Sequence, residues 1–264
     1  MMNKYIFFVF ILIMAGLSGC LVPQNPYSGL APGFWRAELK LEPYVNKSLD
    51  EIDLEDTRAN IKEVENGELP FTFEVKYENE NKFYIEIKNG EERIRVDDII
   101  IGRDRKTAKD TIRIEFPNKG GYIHGIFQEN IIEGEWVAAY DNAITVPFAA
   151  RQGQNHRFTT LRETPAMDIS GKWEMNYKNP TTGLDVKSMI NFKQKDNYLT
   201  GAIKSEFNGS MEGTIQANKL YLSRFDGMNM LLMESRIQSD STLIGSLQVG
   251  RKVPITWEAR RILQ

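Results

Sequence analysis

From Gly33 onward the chain alternates apolar and polar residues with a period of two. Phe71, Phe73, Val75 and Tyr77 share one face, while Thr72, Glu74 and Lys76 share the other. That alternation predicts a strand with one face buried. Phe83, Ile85 and Ile87 continue it beyond the turn at Asn79-Glu80-Asn81, and Asn89-Gly90 is a two-residue hairpin signal. Ile94 and Val96 alternate with Arg93 and Arg95, and Ile112, Ile114 and Phe116 alternate with Thr111, Arg113 and Glu115. With further runs at 34–41, 122–127, 131–140 and 144–151, the first half of the chain predicts about eight strands joined as hairpins.

From Ser170 to Leu263 the plan repeats. Strands are expected at 173–177, 188–194, 198–205, 211–216, 219–225, 230–238, 243–249 and 255–262, parted by turn signals such as Asn208-Gly209 and Asp226-Gly227. Gly33-Phe34-Trp35 opens one repeat and Gly171-Lys172-Trp173 the other. Ile132-Glu133-Gly134 matches Leu243-Ile244-Gly245 near their ends. Val146-Pro147 and Val253-Pro254 head the two last strands, where a proline costs no ladder bond.

Hairpin-linked strands in this number predict an all-β chain of two tandem antiparallel up-and-down β-barrel-like modules, because closure removes exposed edges. The expected boundaries are 33–151 for the first module and 168–264 for the second. The linker 152–167 is polar and lacks alternation. Each half is expected to fold by itself. Gly-x-Trp in the first strand and arginine at the end of the last resemble the lipocalin/calycin pattern. The resemblance implies an arginine packed over the tryptophan at one end of each barrel. It assigns structural roles to Trp35 with Arg151, and to Trp173 with Arg260 or Arg261. Phe71, Phe73, Phe83, Phe127, Phe192 and Phe225 favour interiors filled by side chains.

Two stretches depart from the pattern. Residues 48–68 are acidic and read as a solvated loop or short helix, without the glycine an EF-type calcium loop needs. At the N-terminus, Lys4 precedes the apolar run from Tyr5 to Met14, which is too short to span a bilayer and reads as a signal-peptide core. Leu17-Ser18-Gly19-Cys20 resembles the lipobox of bacterial lipoproteins. The resemblance implies removal of residues 1–19, a diacylglycerol on the Cys20 sulfur and a further acyl chain, such as palmitate, on its amine. Several chains hold a protein to a membrane where one is marginal. Residues 20–32 are the expected lipidated tether. Leu21, rather than Asp, after the cysteine favours by the same resemblance the outer membrane, facing the periplasm.

Composition narrows the chemistry. The 264 residues carry a formal charge of -3, so the overall field does not point to nucleic acid as a partner. One cysteine excludes an intrachain disulfide and a thiolate cluster for zinc. The two histidines, His124 and His156, read as packed or surface residues and not as bases. No phosphate-cradling glycine loop and no metal-ligand spacing is found, so no catalytic residue, no cofactor and no metal site is expected. Met228, Met230 and Met233 read as core filling.

The run Pro32-Gly33-Phe34-Trp35-Arg36-Ala37-Glu38-Leu39, with Gly67-Glu68-Leu69-Pro70-Phe71, Gly102-Arg103-Asp104 and His156-Arg157-Phe158-Thr159-Thr160-Leu161, resembles a known region. It is similar to the segment upstream of the thioredoxin domain in TlpA/ResA-like disulfide-reductase lipoproteins. In that group the redox work belongs to Cys-x-x-Cys in the downstream domain. That motif is missing from this chain, so no catalytic residue carries over. The expected function is a membrane-anchored, non-catalytic envelope lipoprotein that binds or spaces. Its partners would be membrane lipid, through acylated Cys20, and a protein of the envelope. The alternatives are the accessory part of a thiol–disulfide oxidoreductase and a carrier of small hydrophobic ligands.

Overall fold

The computed structural model describes residues 29–41, 67–142, 144–204 and 209–262. Cys20, its leader and most of the acidic stretch lie outside the described residues. The described chain is all-β, with one 3-10 turn at Pro117–Lys119.

The first half forms β1 (Gly33–Lys40), β2 (Glu68–Asn79), β3 (Lys82–Asn89), β4 (Glu92–Val96), β5 (Asp98–Arg103), β6 (Asp110–Glu115), β7 (Tyr122–Gln128), β8 (Ile131–Val137) and β9 (Thr145–Gln152). They make one antiparallel sheet in the order β4-β3-β2-β1-β9-β8-β7-β6-β5. It curls into a half-barrel whose two edge strands, β4 and β5, are neighbours in sequence. Asp97 is the only residue between them. The expected count of about eight rises to nine because Asp98–Arg103, where the sequence pattern placed no strand, pairs with β6 from Asp98↔Glu115 to Arg103↔Asp110.

The second half forms β10 (Gly171–Lys178), β11 (Asp185–Lys195), β12 (Tyr198–Lys204), β13 (Gly209–Gln216), β14 (Lys219–Phe225), β15 (Met230–Ser239), β16 (Thr242–Val249) and β17 (Ile255–Arg261). These close into an eight-stranded barrel, with β17 pairing back onto β10 from Trp173↔Arg261 to Tyr177↔Trp257. The alternation in sequence explains the filling. Trp173, Met175, Ile190, Phe192, Met211 and Leu222, each fully or nearly buried, come from alternate positions and meet inside. The interior is a packed core, as an eight-stranded barrel permits.

The sheet's core is not made by the sheet alone. It takes in Phe225, Met230 and Leu232 from the outer wall of the barrel, along with Phe158 from the connecting segment. Phe225 lies 4.5 Å from Phe71 and 5.1 Å, edge-on, from Phe116. Phe225 was expected to fill its own barrel. Strand alternation puts it on the other face from Leu220 and Leu222, and it fills the neighbouring sheet instead. That is why β14 and β15 carry long runs buried on both faces.

The start of the fold also differs from expectation. Leu30 and Ala31, placed in the extended tether, are buried in the sheet's core, and the Tyr77 hydroxyl donates to the Leu30 carbonyl at 2.8 Å.

Candidate functional site

The two Gly-x-Trp motifs build the same small structure. Trp35 and Trp173 have no exposed surface, and each indole Nε1 donates to the carbonyl four residues back, Ala31 or Ile169, at 2.9 Å. Gly33 and Gly171 have φ of +100° and +119°, with open space where a β-carbon would stand. Backbone conformation, not crowding, calls for glycine there.

The arginines sort differently from the expected pairs. Arg261 stands opposite Trp173, with its Cζ 5.1 Å from the ring centroid, and donates to the carbonyls of Asp168 and Ser170 at 2.6 and 3.2 Å. Arg260 pairs opposite Glu174 on the exposed face and donates to Glu258 instead. Arg151 is likewise exposed, opposite Arg36, and does not cover Trp35. The residue opposite Trp35 is Gln152, whose amide donates to the Pro32 carbonyl at 3.2 Å. Pro32 and Ser170 both stand three residues before their tryptophans, so Gln152 does in the sheet what Arg261 does in the barrel. The arginine shared by both repeats is the outward one. One residue of register separates the two readings, and a one-residue shift exchanges faces.

The chemistry that sequence reasoning missed lies where the halves meet. The β3–β4 turn is the docking element. Asn89 pairs with Glu92, so the central residues are Gly90 and Glu91, with Gly90 at φ +63°. Glycine at the first central position suits a type II′ turn. Asn89 is thereby left outside the turn, fully buried. Its amide donates to the Phe225 carbonyl at 2.8 Å and its oxygen accepts from the Phe225 N–H at 3.4 Å, imitating a strand pair. The Gly90 N–H donates to Glu212 at 2.7 Å.

The connecting segment is pinned to both halves. Arg36 donates to the Arg157 carbonyl at 2.9 Å, and Ala166 N–H donates to the Ala217 carbonyl at 2.8 Å. Arg157, only 6% exposed, reaches into the seam. It donates to the carbonyl and hydroxyl of Ser223 at 2.9 and 3.2 Å and to the Lys88 carbonyl. Burial lowers its pKa from the usual guanidinium value, while Glu212, 3.9 Å away, works against that. Phe158 follows it inward and rests 5.8 Å from Tyr221. Gly213 makes room, since a β-carbon there would come within 2.8 Å of the Phe158 ring and collide with the Tyr221 carbonyl.

Beneath this segment lies a cleft of about 400 Å³, lined by Lys88 from β3, by Arg157, Phe158 and Arg162, and by Lys195, Tyr198 and Glu212 from the barrel. Glu212 is neutralised from several sides, with Lys88 Nζ at 3.3 Å. Partial burial and the neighbouring Glu212 carboxylate push the Tyr198 pKa up to about 12, so it stays a neutral phenol. Burial lowers the pKa of His156, also at the cleft, helped by the charge of Arg36. His124 is exposed on the far sheet, 4.0 Å from Glu135. Among the described residues no group of three or more His, Cys, Asp or Glu side chains converges to hold a metal ion.

The fold therefore defines an all-β protein of one closed barrel and one curled half-barrel, with a polar cleft at their junction. No protein-family model and no curated protein matches the sequence. Among solved structures the chain is similar to a protein of unknown function from the DUF3598 family of Nostoc punctiforme. The identity is 8% and the TM-score 0.24, over 88% of this chain and 96% of that one.

Proposed function

We propose that the chain is a lipid-anchored protein of the bacterial envelope that works as a non-catalytic binding module, with the seam cleft as its binding site. The anchor rests on the lipobox resemblance at Leu17-Ser18-Gly19-Cys20. The observation that carries the binding role is the cleft itself. Three separate parts of the chain converge on it, and both ends of the connecting segment are held by hydrogen bonds. The packed barrel interior argues against a carrier that encloses a hydrophobic ligand there.

The test is native mass spectrometry of the full-length protein extracted from envelopes in mild detergent. A co-purifying small molecule, lost when Leu161→Glu alters the half-exposed apolar wall of the cleft at an unchanged melting temperature, supports the reading. A protein that carries no ligand and binds none from an envelope extract overturns it. For the anchor, Cys20→Ser should release the protein from membranes or leave the precursor uncut, and full membrane retention with normal processing would contradict it.

A further inference from the structure

The cleft has a charge character opposite to that of the whole chain. Lys88, Arg157, Arg162 and Lys195 line it against two acidic groups, Asp196 and Glu212, in a protein of formal charge -3. Glu212 is already committed to the Gly90 N–H, to Lys88 at 3.3 Å and to Arg157 at 3.9 Å. Arg162 and Lys195 lie exposed at the cleft and form no ion pair among the described residues. Arg157 is committed at both Nη atoms, yet its buried Nε has no acceptor among the described residues. One wall is apolar, made by Phe158 and Leu161, and half of Leu161 stands open to solvent at 48% exposure. Uncompensated cations at the mouth of a low-dielectric recess focus potential on it and raise the local concentration of anions.

We propose that this cleft binds a small organic oxyanion, with Arg162 and Lys195 gripping the charged group and Phe158 and Leu161 packing its hydrocarbon or ring part. The inference rests on the cleft being the binding site. Guanidinium and ammonium groups in this arrangement take phosphate or carboxylate oxygens by charge-assisted hydrogen bonds. Such an oxyanion could be a free solute or the headgroup of an anionic lipid, and the same chemistry serves both.

The test uses the full-length protein in neutral detergent, titrated calorimetrically with phenyl phosphate and, as the uncharged control, benzyl alcohol. Arg162→Glu with Lys195→Glu is the diagnostic variant. Both side chains are exposed, so an unchanged melting temperature is expected. Binding of phenyl phosphate that weakens about tenfold or more in the variant supports the inference and a free solute as ligand. A lipid source is supported if the Cys20→Ser protein binds phosphatidylglycerol vesicles but not phosphatidylcholine vesicles, and loses that binding with the charge reversal. Binding of benzyl alcohol as tight as that of phenyl phosphate, unmoved by the variant, overturns the oxyanion inference and leaves the cleft as a site for neutral ligands. No binding of phenyl phosphate or of either vesicle overturns the inference too, and the envelope-extract experiment then decides whether the cleft binds anything.

Discussion

Trp35 and Trp173 occupy equivalent places in two copies of one plan, yet the ladders around them close differently. In the barrel, β13 pairs with β12 on one side and β14 on the other. In the sheet that place is shared by two strands parted at Asp97; among the described residues β4 pairs only with β3 and β5 only with β6. Among the described residues the barrel's core is drawn from 167–259 alone, whereas the sheet's core takes Phe225, Met230 and Leu232 from the barrel. An open sheet exposes apolar surface that closure would have covered, and here the barrel's outer wall covers it. The difference turns a repeat into an ordered pair, in which one half is complete and the other depends on it.

The largest expected effects test that dependence. Truncating a buried aromatic costs about 3–5 kcal/mol. Phe225→Ala should cost that much although Phe225 lies on a barrel strand, and the damage should appear in the sheet. Hydrogen exchange would show β1 and β2 amides losing protection while β10 to β12 keep theirs. Uniform loss across both halves would break the proposed order. Trp173→Ala should unfold both halves and Trp35→Ala only the sheet; equal behaviour of the two variants would make the halves equivalent after all.

Next comes the seam. Arg157→Leu removes a buried cation that serves Ser223, the Lys88 carbonyl and Glu212 at once. Breaking a buried charge network by removing one partner costs about 3–5 kcal/mol, less where other cations remain near the orphaned carboxylate, as Lys88 does here. The expected outcome is a lower denaturation midpoint with early exchange in the β3–β4 turn. A midpoint within error of the parent would mean that the network does not hold the seam.

How much of this was legible in the sequence depends on the range of the interaction. Strand alternation is local, so Trp173 facing inward and the closed barrel could be read directly, as could the repeat of the Gly-x-Trp opening. The order of strands follows from hairpins with short turns. The inward arginine could not be read, because Arg260 and Arg261 differ only by register and Gln152 in the sheet is not an arginine. Nor could the seam be read. Asn89 looked like a turn residue, and Arg157 and Phe158 sat in a segment with no periodicity. Their partners, Phe225, Ser223 and Tyr221, are more than sixty residues away along the chain. One signal was present: β14 and β15 contain Leu220-Tyr221-Leu222 and Met230-Leu231-Leu232-Met233, apolar without alternation. A strand buried on both faces reads that way.

A smaller effect sharpens the likeness of the two halves. Gly33→Ala and Gly171→Ala each force a side chain into positive φ while meeting no neighbour. The cost is therefore backbone strain alone, about 1–3 kcal/mol, and should be similar in the two variants. Thermal denaturation of both would check this. A cost several-fold larger at one glycine would show that the two openings are not the same structure.

The smallest expected effect concerns pH and the attachment of one half to the other. Asp226 sits in the β14–β15 turn, its side chain 15% exposed, where it accepts from the Met228 and Asn229 N–H groups at 3.1 and 2.7 Å and pairs with Arg224 at 3.0 Å. Burial favours the protonated form, but these hydrogen bonds and the Arg224 charge outweigh it and hold the pKa below the ordinary aspartate value. The same turn presents the Gly227 carbonyl to the Trp136 indole at 2.8 Å, so it links barrel to sheet. A depressed folded pKa means that the unfolded chain binds the proton first. The stabilisation is complete above the unfolded value of about 4 and is lost as pH falls through the folded value. Acid should therefore loosen the sheet from the barrel before the barrel itself opens. Hydrogen exchange at descending pH should show Trp136 and its neighbours in β8 losing protection ahead of β10 and β17. Asp226→Asn keeps an acceptor for the turn but neither titrates nor carries charge, so its stability should be lower at neutral pH and change less below pH 4. An acid limb as steep as the parent's would place the responsible carboxylate elsewhere and remove this turn from the account of how the halves are joined.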